Sequence, residues 1–177
     1  TTRSLKTDSC LDQKIEYLRR MDEIARGESD KIQQFIGKVL QREQTVEIFN
    51  SDGLHIHDTR HYCRLVAMAV AQDGDEQSTG YIMPGALKGW EFHGEVDPRT
   101  IAAEAARGAL VTLSADDCPS GEMPVVIGNG FGGVIFHEAC GHLLETTAVA
   151  KQASVFHDQM DEMIAHPVVS AVDDGTM

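Results

Sequence analysis

Two Asp-Gly pairs constrain the fold of this chain more than any other local feature. Asp52-Gly53 separates the runs 43–50 and 54–72, and Asp73-Gly74 ends the second run; both runs are rich in strand-favouring residues. Asp-Gly is typical of the tight turn in an antiparallel hairpin, because its glycine accepts the positive φ that such a turn requires. The sequence therefore predicts at least one antiparallel hairpin near the middle of the chain.

Further segments extend this hairpin into an α+β domain. Strand-like runs at 33–39 and 76–82 predict an antiparallel meander of four or five strands. Residues 8–26 space apolar side chains by three and four, which predicts an amphipathic helix capped by Asp8 or Ser9; its stripe comprises Leu11, Ile15, Leu18, Met21 and Ile24. Residues 97–113 predict a second helix, with Asp97 as its cap and Pro98 at its first position.

The turn-rich segment 114–122 predicts a domain boundary. Residues 1–121 are then expected to be the C-terminal part of an N-terminal α+β domain, and residues 122–177 to open a second α+β domain that carries the metal-motif helix. Before the boundary, residues 84–92 predict a short helix or a loop. In the second part the local patterns predict a strand at 124–127, a glycine-rich turn at 128–133, a helix from about 133 to 145 or beyond, a helix at 154–165 and a strand at 167–172.

Charge and cysteine content narrow the functional classes. The net charge is −13, from 28 acidic and 15 basic residues, which disfavours direct binding to nucleic acid or to an anionic membrane surface. The four cysteines form no Cys-x-x-Cys pair, which favours a reducing, cytoplasmic location over a disulfide framework. The sequence contains no run of about 18 apolar residues, so no membrane span is predicted.

The stretch HEACGH, residues 137–142, carries the strongest chemical signal. His137 and His142 are five residues apart, which on a regular α-helix places them about 140° apart around the axis. A local π-helix, with hydrogen bonds between residues five apart, would stack them as neighbours, and such bulges cluster at functional sites. Gly141 permits unusual backbone geometry there. The spacing therefore predicts a widened helix between two histidine ligands of a metal.

Glu138 follows the first histidine, as the catalytic glutamate does in the shorter zinc-protease motif H-E-x-x-H. We assign it the role of general base. Catalytic zinc usually has three protein ligands, so a third is needed. The candidates are Cys140, Glu145, His157, His166 and a residue beyond Met177, with packing the preferred role for Cys140.

Three alternative interpretations stand beside the metal site. His137 and His142 could be polar residues of a partly buried helix, although burying two imidazoles and two carboxylates without a purpose is costly. The run GNGFGG at 128–133 contains G-x-G-x-x-G, but no acidic residue follows about 20 positions later, so nucleotide binding is disfavoured. Alternating histidines 55, 57 and 61 fit the polar face of a sheet better than a metal pair.

The sequence GNGFGGVIFHEACGHLLE resembles the metal-binding signature of the TldD/PmbA family, the modulators of DNA gyrase, and in particular its TldD-like branch. Three further stretches are similar to the family: NSDGL at 50–54, the run 64–81 that ends in STGY, and PVVSAVDDGTM at 167–177. The similarity covers nearly the whole chain.

The resemblance implies a zinc metallopeptidase that forms a heterodimer with a TldE/PmbA-like partner subunit. By position, His137 and His142 match the two histidine ligands and Glu138 the catalytic glutamate. The third family ligand is a cysteine far downstream, so the 177 residues are expected to be an internal fragment, inactive alone. Implied substrates are small or unfolded peptides, including a peptide-antibiotic precursor and an antitoxin, with no direct contact to nucleic acid.

Two rival functions remain at this point. The chain could be a non-catalytic interaction subunit whose helix only packs against a partner, although the partner branch lacks the histidine–glutamate set that is intact here. It could also be a nucleotide-dependent enzyme that uses the glycine-rich turn. Loss of peptide cleavage on Glu138→Gln favours the peptidase, and a thermal shift with NAD or ATP favours the nucleotide enzyme.

Overall fold

The computed structural model describes residues 11–173, and the chain divides into two compact units after Cys118. The proposed caps Asp8 and Ser9 and the final turn at 174–177 lie outside the described residues. In the first unit the order of elements is α1 (Leu11–Gly27), β1 (Ile32–Phe49), β2 (His55–Asp73), β3 (Glu76–Ile82), β4 (Gly85–Ala86), a 3₁₀ helix (Trp90–Glu95) and α2 (Pro98–Leu113). The predicted α+β class is confirmed.

The strands form one antiparallel sheet in the order β1-β2-β3, and the two-residue β4 also pairs with β2. The predicted turns are present: Gly53 and Gly74 have φ of 85° and 58°. The two strands expected at 33–39 and 43–50 are a single strand, β1, paired with β2 from Ile32 to Phe49. The long β2 partner supplies an uninterrupted ladder, which explains why the polar residues between the two runs do not break the strand.

Both helices cover one face of this sheet. Alternate residues of β2 point into the core and are almost fully buried: Leu65, Ala67, Ala69 and Ala71. The buried face of α2 consists of small side chains, mainly alanines, which lets the helix lie close to the sheet. The closest approach is at Gly80 of β3, opposite Gly108 of α2.

Helix α1 buries only part of the predicted stripe: Met21 is buried, and Leu18 and Ile24 are half-buried against the core. Tyr17, Met21 and Ala25 are its buried residues, whereas Leu11 and Ile15 are 58% and 37% exposed. The Tyr17 hydroxyl donates a hydrogen bond to the Val96 carbonyl at 2.9 Å, and the ring meets Trp90 edge-on. Tyr17 is therefore buried because its ring and its hydroxyl both have partners, whereas the aliphatic Leu11 and Ile15 remain exposed.

The start of α2 follows the prediction. Asp97 is the N-cap, with its side chain accepting a hydrogen bond from the Arg99 backbone nitrogen at 2.9 Å, and Pro98 takes the first helical position. The segment expected as helix or loop at 84–92 contains β4 and the start of the 3₁₀ helix.

The second unit has short helical segments and, among residues 119–173, no strand. They are a 3₁₀ turn (Gly130–Gly132), α3 (Gly133–Phe136), a π-helix (His137–Gly141), a second 3₁₀ turn (His142–Leu144) and α4 (Thr146–Ala150). The strands predicted at 124–127 and 167–172 and the helix predicted at 154–165 were wrong. Val126 is 98% exposed and Val172 is 90% exposed, so each apolar run lacks the partner that a ladder requires.

Throughout residues 11–173, no helix combines the length and the apolar composition needed to cross a bilayer.

Candidate metal centre

A glycine-rich turn leads into the helix that carries the candidate ligands. Gly130 has φ of 79°, in the left-handed region that favours glycine. A Cβ atom on Gly132 would lie 2.7 Å from Cγ2 of Ile127, so a larger residue there would require the Ile127 side chain to move. Because the expected strand before the turn is absent, the G-x-G-x-x-G pattern lacks the strand–turn–helix context of a dinucleotide site.

The helix is widened at the predicted place. Residues His137–Gly141 form a π-helix between α3 and a 3₁₀ turn, so the expectation drawn from the five-residue spacing is confirmed. The ring centroids of His137 and His142 are 4.4 Å apart, with an angle of 65° between the ring planes. On a regular α-helix these rings would face nearly opposite directions.

The widened helix brings the three predicted site residues together. One ligand atom from each of His137, Glu138 and His142 lies within 4.8 Å of the other two. Glu138 Oε2 is 3.7 Å from His142 Nε2. Imidazole nitrogens and carboxylate oxygens are ligand atoms that divalent metal ions accept, so the residues present fit part of a metal site.

The site is open to solvent, so the burial cost that the sequence analysis held against a purely structural helix does not apply here. All three residues are exposed, with His142 and Glu138 side chains at 49% and 64%. Among residues 119–173 the one buried side chain is Ser154, so this unit has no apolar core in which to bury the helix.

Glu145 contacts His142 from the other side of the ring. Its Oε1 atom is 2.8 Å from His142 Nδ1. The pKa of His142 is raised mainly by this hydrogen bond, and to a smaller extent by the negative charges of Glu145 and Glu138. Sequence reasoning considered Glu145 only as a third ligand and missed this contact; the signal was the spacing of three residues.

The other candidate ligands do not join the group. Cys140 is half-buried and outside it. His157 Nδ1 lies 2.9 Å from the Ser154 carbonyl oxygen, and His166 Nδ1 accepts a hydrogen bond from the Val168 nitrogen at 3.3 Å. Each of these histidines is engaged in a local turn.

The alternating histidines of β2 form local pairs. His55 Nε2 is 2.9 Å from Glu47 Oε1, and its ring stacks on Phe49 at 4.4 Å. His61 Nδ1 is 3.5 Å from Glu43 Oε2. Within residues 11–173, neither histidine belongs to a three-residue ligand group, in line with the polar-face interpretation.

Comparison with known families decides the ancestry. The PmbA/TldA metallopeptidase central domain matches residues 8–113, and the C-terminal domain of the same family matches residues 120–177. The chain belongs to the PmbA/TldD metallopeptidase family. The family description speaks of a central domain for the part that sequence analysis assigned to an N-terminal domain.

Relatives and solved structures agree with this assignment. The chain is 34% identical over 171 residues to the metalloprotease TldD homolog of Haemophilus influenzae, covering 94% of this chain and 36% of the relative. Thus it spans about a third of the length of that relative. Candidate DNA gyrase modulators from Thermotoga maritima and Bacteroides thetaiotaomicron share the fold, with TM-scores of 0.69 and 0.73 at 20% and 19% identity. These matches cover 90% and 87% of this chain and 36% and 34% of theirs.

Membership of this family makes the chain part of a metal-dependent peptidase lineage.

Proposed function

We propose that this sequence carries part of the active site of a zinc-dependent peptidase, with His137 and His142 as metal ligands and Glu138 as general base. The observation that carries the proposal is the π-helix at His137–Gly141. It places two imidazoles and a carboxylate within 4.8 Å of one another, although their spacing would separate them on a regular helix.

The roles follow from the chemistry of the side chains. Zinc held at this site would act as a Lewis acid and would lower the pKa of water to about 7. Glu138 accepts the proton of the attacking water and passes it to the amine of the leaving peptide. Its Oε2 atom is 3.7 Å from His142 Nε2, the nitrogen that would hold the metal, so the proposed base lies beside that ligand atom.

A third ligand completes the site. Catalytic zinc sites usually present three protein ligands, and the group formed by the described residues contains two histidines and the proposed base. By resemblance to the family, we assign the missing ligand to a cysteine outside these 177 residues. This chain by itself is therefore expected to be inactive.

For substrates and partners we propose small or unfolded peptides, of the peptide-antibiotic precursor or antitoxin type, and a TldE/PmbA-like subunit in a cytoplasmic heterodimer. The exposed site suits a flexible peptide that enters from solvent. The net charge of −13 supports a peptide substrate over nucleic acid, because phosphates would be repelled.

A second candidate function is a non-catalytic interaction subunit. Its support is the apolar surface of the second unit, where Val126, Met160 and Val168 are 98%, 78% and 81% exposed. Exposed apolar side chains mark a surface that binds other proteins where they lie together in one contiguous patch. The peptidase proposal explains the π-helix as well, so it is preferred.

The test measures zinc and peptide cleavage on the full-length protein that contains this sequence, assembled with its partner subunit. About one zinc per chain is expected, lost in His142→Ala and retained in His166→Ala, a matched histidine outside the group. Glu138→Gln is expected to retain zinc and to lose roughly 10²–10⁴ of the cleavage rate, the usual contribution of a general base. Glu162→Gln serves as its control, since this glutamate is exposed and outside the group.

Two results would contradict the proposal. If wild-type protein contains no zinc, HEACGH has a structural role only, and the interaction-subunit function is favoured. Full cleavage by Glu138→Gln, with zinc bound, would remove Glu138 from the mechanism.

A further inference from the structure

We propose that Glu145 is a positioning residue, which fixes the tautomer and the ring orientation of His142 so that the Nε2 lone pair faces the metal. This role rests on the proposed function, because it presupposes His142 as a ligand. The contact that carries it is the 2.8 Å hydrogen bond between Glu145 Oε1 and His142 Nδ1.

The two nitrogens of His142 have unequal neighbours. Nδ1 is in hydrogen-bond contact with Glu145, whereas Nε2 is 3.7 Å from Glu138, beyond hydrogen-bond distance. A neutral imidazole carries one proton, and an ionised carboxylate can only accept. The proton therefore belongs on Nδ1, directed at Glu145, and Nε2 is left as the free donor atom inside the candidate metal group.

The backbone explains why Glu145 reaches this position. After the π-helix, His142–Leu144 form a 3₁₀ turn, in which residues three apart eclipse one another. Glu145 thus comes to lie over His142. Its backbone then leaves the helical region, with φ −62° and ψ 134°, and its carbonyl accepts hydrogen bonds from Ala148 and Val149 at the start of α4.

The π-helix and the 3₁₀ turn that follows it both determine the surroundings of the His142 imidazole. The π-helix turns His142 towards His137, and the 3₁₀ turn places Glu145 behind His142. Neighbouring carboxylates that bind the outer nitrogen of a ligand histidine set its tautomer and raise its basicity in other metal sites.

Two other roles for Glu145 make different predictions. As an exposed surface pair, with side chains 49% and 55% exposed, the contact would affect neither metal nor tautomer. As a third ligand, Glu145 would have to leave Nδ1, because it lies outside the group formed by His137, Glu138 and His142. Glu145→Gln separates these roles, since an amide oxygen still accepts from Nδ1–H but is a far poorer zinc ligand.

The experiment uses the full-length protein with its partner subunit and has two readouts. Nitrogen-15 NMR of the metal-free protein at about pH 8 reports which ring nitrogen of His142 is protonated. Competition with a zinc chelator reports zinc affinity. We expect the Nδ1–H tautomer in wild type, a shift towards Nε2–H in Glu145→Ala, and a loss of about 10–100-fold in zinc affinity. Glu145→Gln should retain the tautomer and most of the affinity, and Glu162→Ala should match wild type in both.

The outcomes separate this role from the proposed function. Wild-type affinity and tautomer in Glu145→Ala would overturn the positioning role and leave the zinc site intact. An equal loss of zinc in Glu145→Gln and Glu145→Ala, with the tautomer unchanged, would overturn it in favour of direct ligation. Wild-type protein that takes up no zinc would overturn the metal site and this role with it.

Discussion

The contact between β3 and α2 leaves no room for a side chain at Gly80. A Cβ atom there would lie 2.2 Å from the carbonyl oxygen of Ala105 and 2.4 Å from the backbone nitrogen of Ala109. Both are backbone atoms of a helix and cannot rotate away as a flexible side chain can. Gly80→Ala therefore forces strand and helix apart by about 1 Å, at a cost of roughly 1–3 kcal/mol of unfolding free energy.

Gly108 provides a matched control on the facing helix. A Cβ atom at Gly108 would lie 3.6 Å from the Gly80 Cα atom, an ordinary contact. Neither glycine has a positive φ, so alanine adds no backbone strain at either position. Because glycine inside a helix is less favourable than alanine, Gly108→Ala is expected to gain about 0.5–1 kcal/mol. Glycine-to-alanine substitution is thus expected to lower the unfolding free energy on the strand side of this contact and to raise it on the helix side.

Urea unfolding measures this difference. Trp90 is the one tryptophan of the sequence and is 6% exposed in the core of the first unit, so its fluorescence reports unfolding of that unit. With a urea dependence of about 1–3 kcal/mol per molar, the midpoint of Gly80→Ala should fall by roughly 1 M. A midpoint at or above wild type for Gly80→Ala would refute the close approach between β3 and α2.

Further predictions concern the same unit. Asp97→Ala removes the cap of α2 and should cost about 1 kcal/mol in urea unfolding, whereas Asp97→Asn should stay near wild type. Burial, with the nearby charges of Asp97 and Cys63, raises the pKa of Tyr17 to about 12. The unfolded-state pKa is near 10, so stability should hold below about pH 10 and fall between pH 10 and 12, and Tyr17→Phe should lessen that fall. Burial also raises the pKa of the Cys63 thiol, so Ellman's reagent should label exposed Cys118 rapidly and Cys63 only on unfolding. Cys63→Ser should therefore lower by one the number of thiols that react only after unfolding.

The first unit was predictable because its signals are local and mutually consistent. The Asp-Gly turns fix the hairpins, and Asp97-Pro98 marks the start of α2. The face of α1 was less predictable, since hydropathy ranks Leu11 and Ile15 above Tyr17. What decides is a distant acceptor, the Val96 carbonyl, which no periodicity along the helix can reveal.

The second unit was less predictable because its apolar runs have no local partner. The runs 124–127 and 167–172 have the composition of strands, yet a strand needs a neighbour for its backbone groups. The helix expected at 154–165 is a series of turns in which Asp161 has φ of 65°. A non-glycine residue in this region ends helical geometry, and composition gives no warning of it.

The candidate site behaves differently, because residue spacing itself specifies the type of helix. Two histidines at positions i and i+5 can bind one metal only if the helix widens, and the π-helix meets that requirement. The same logic applies to His142 and Glu145, which are at positions i and i+3 and are brought together by a 3₁₀ turn. The π-helix and the 3₁₀ turn each replace regular α-helical hydrogen bonds with less favourable ones, and both lie next to His142. A helix that only packed against a partner would have no reason to bear this cost, which is why the peptidase interpretation accounts for more of this geometry than the interaction subunit does.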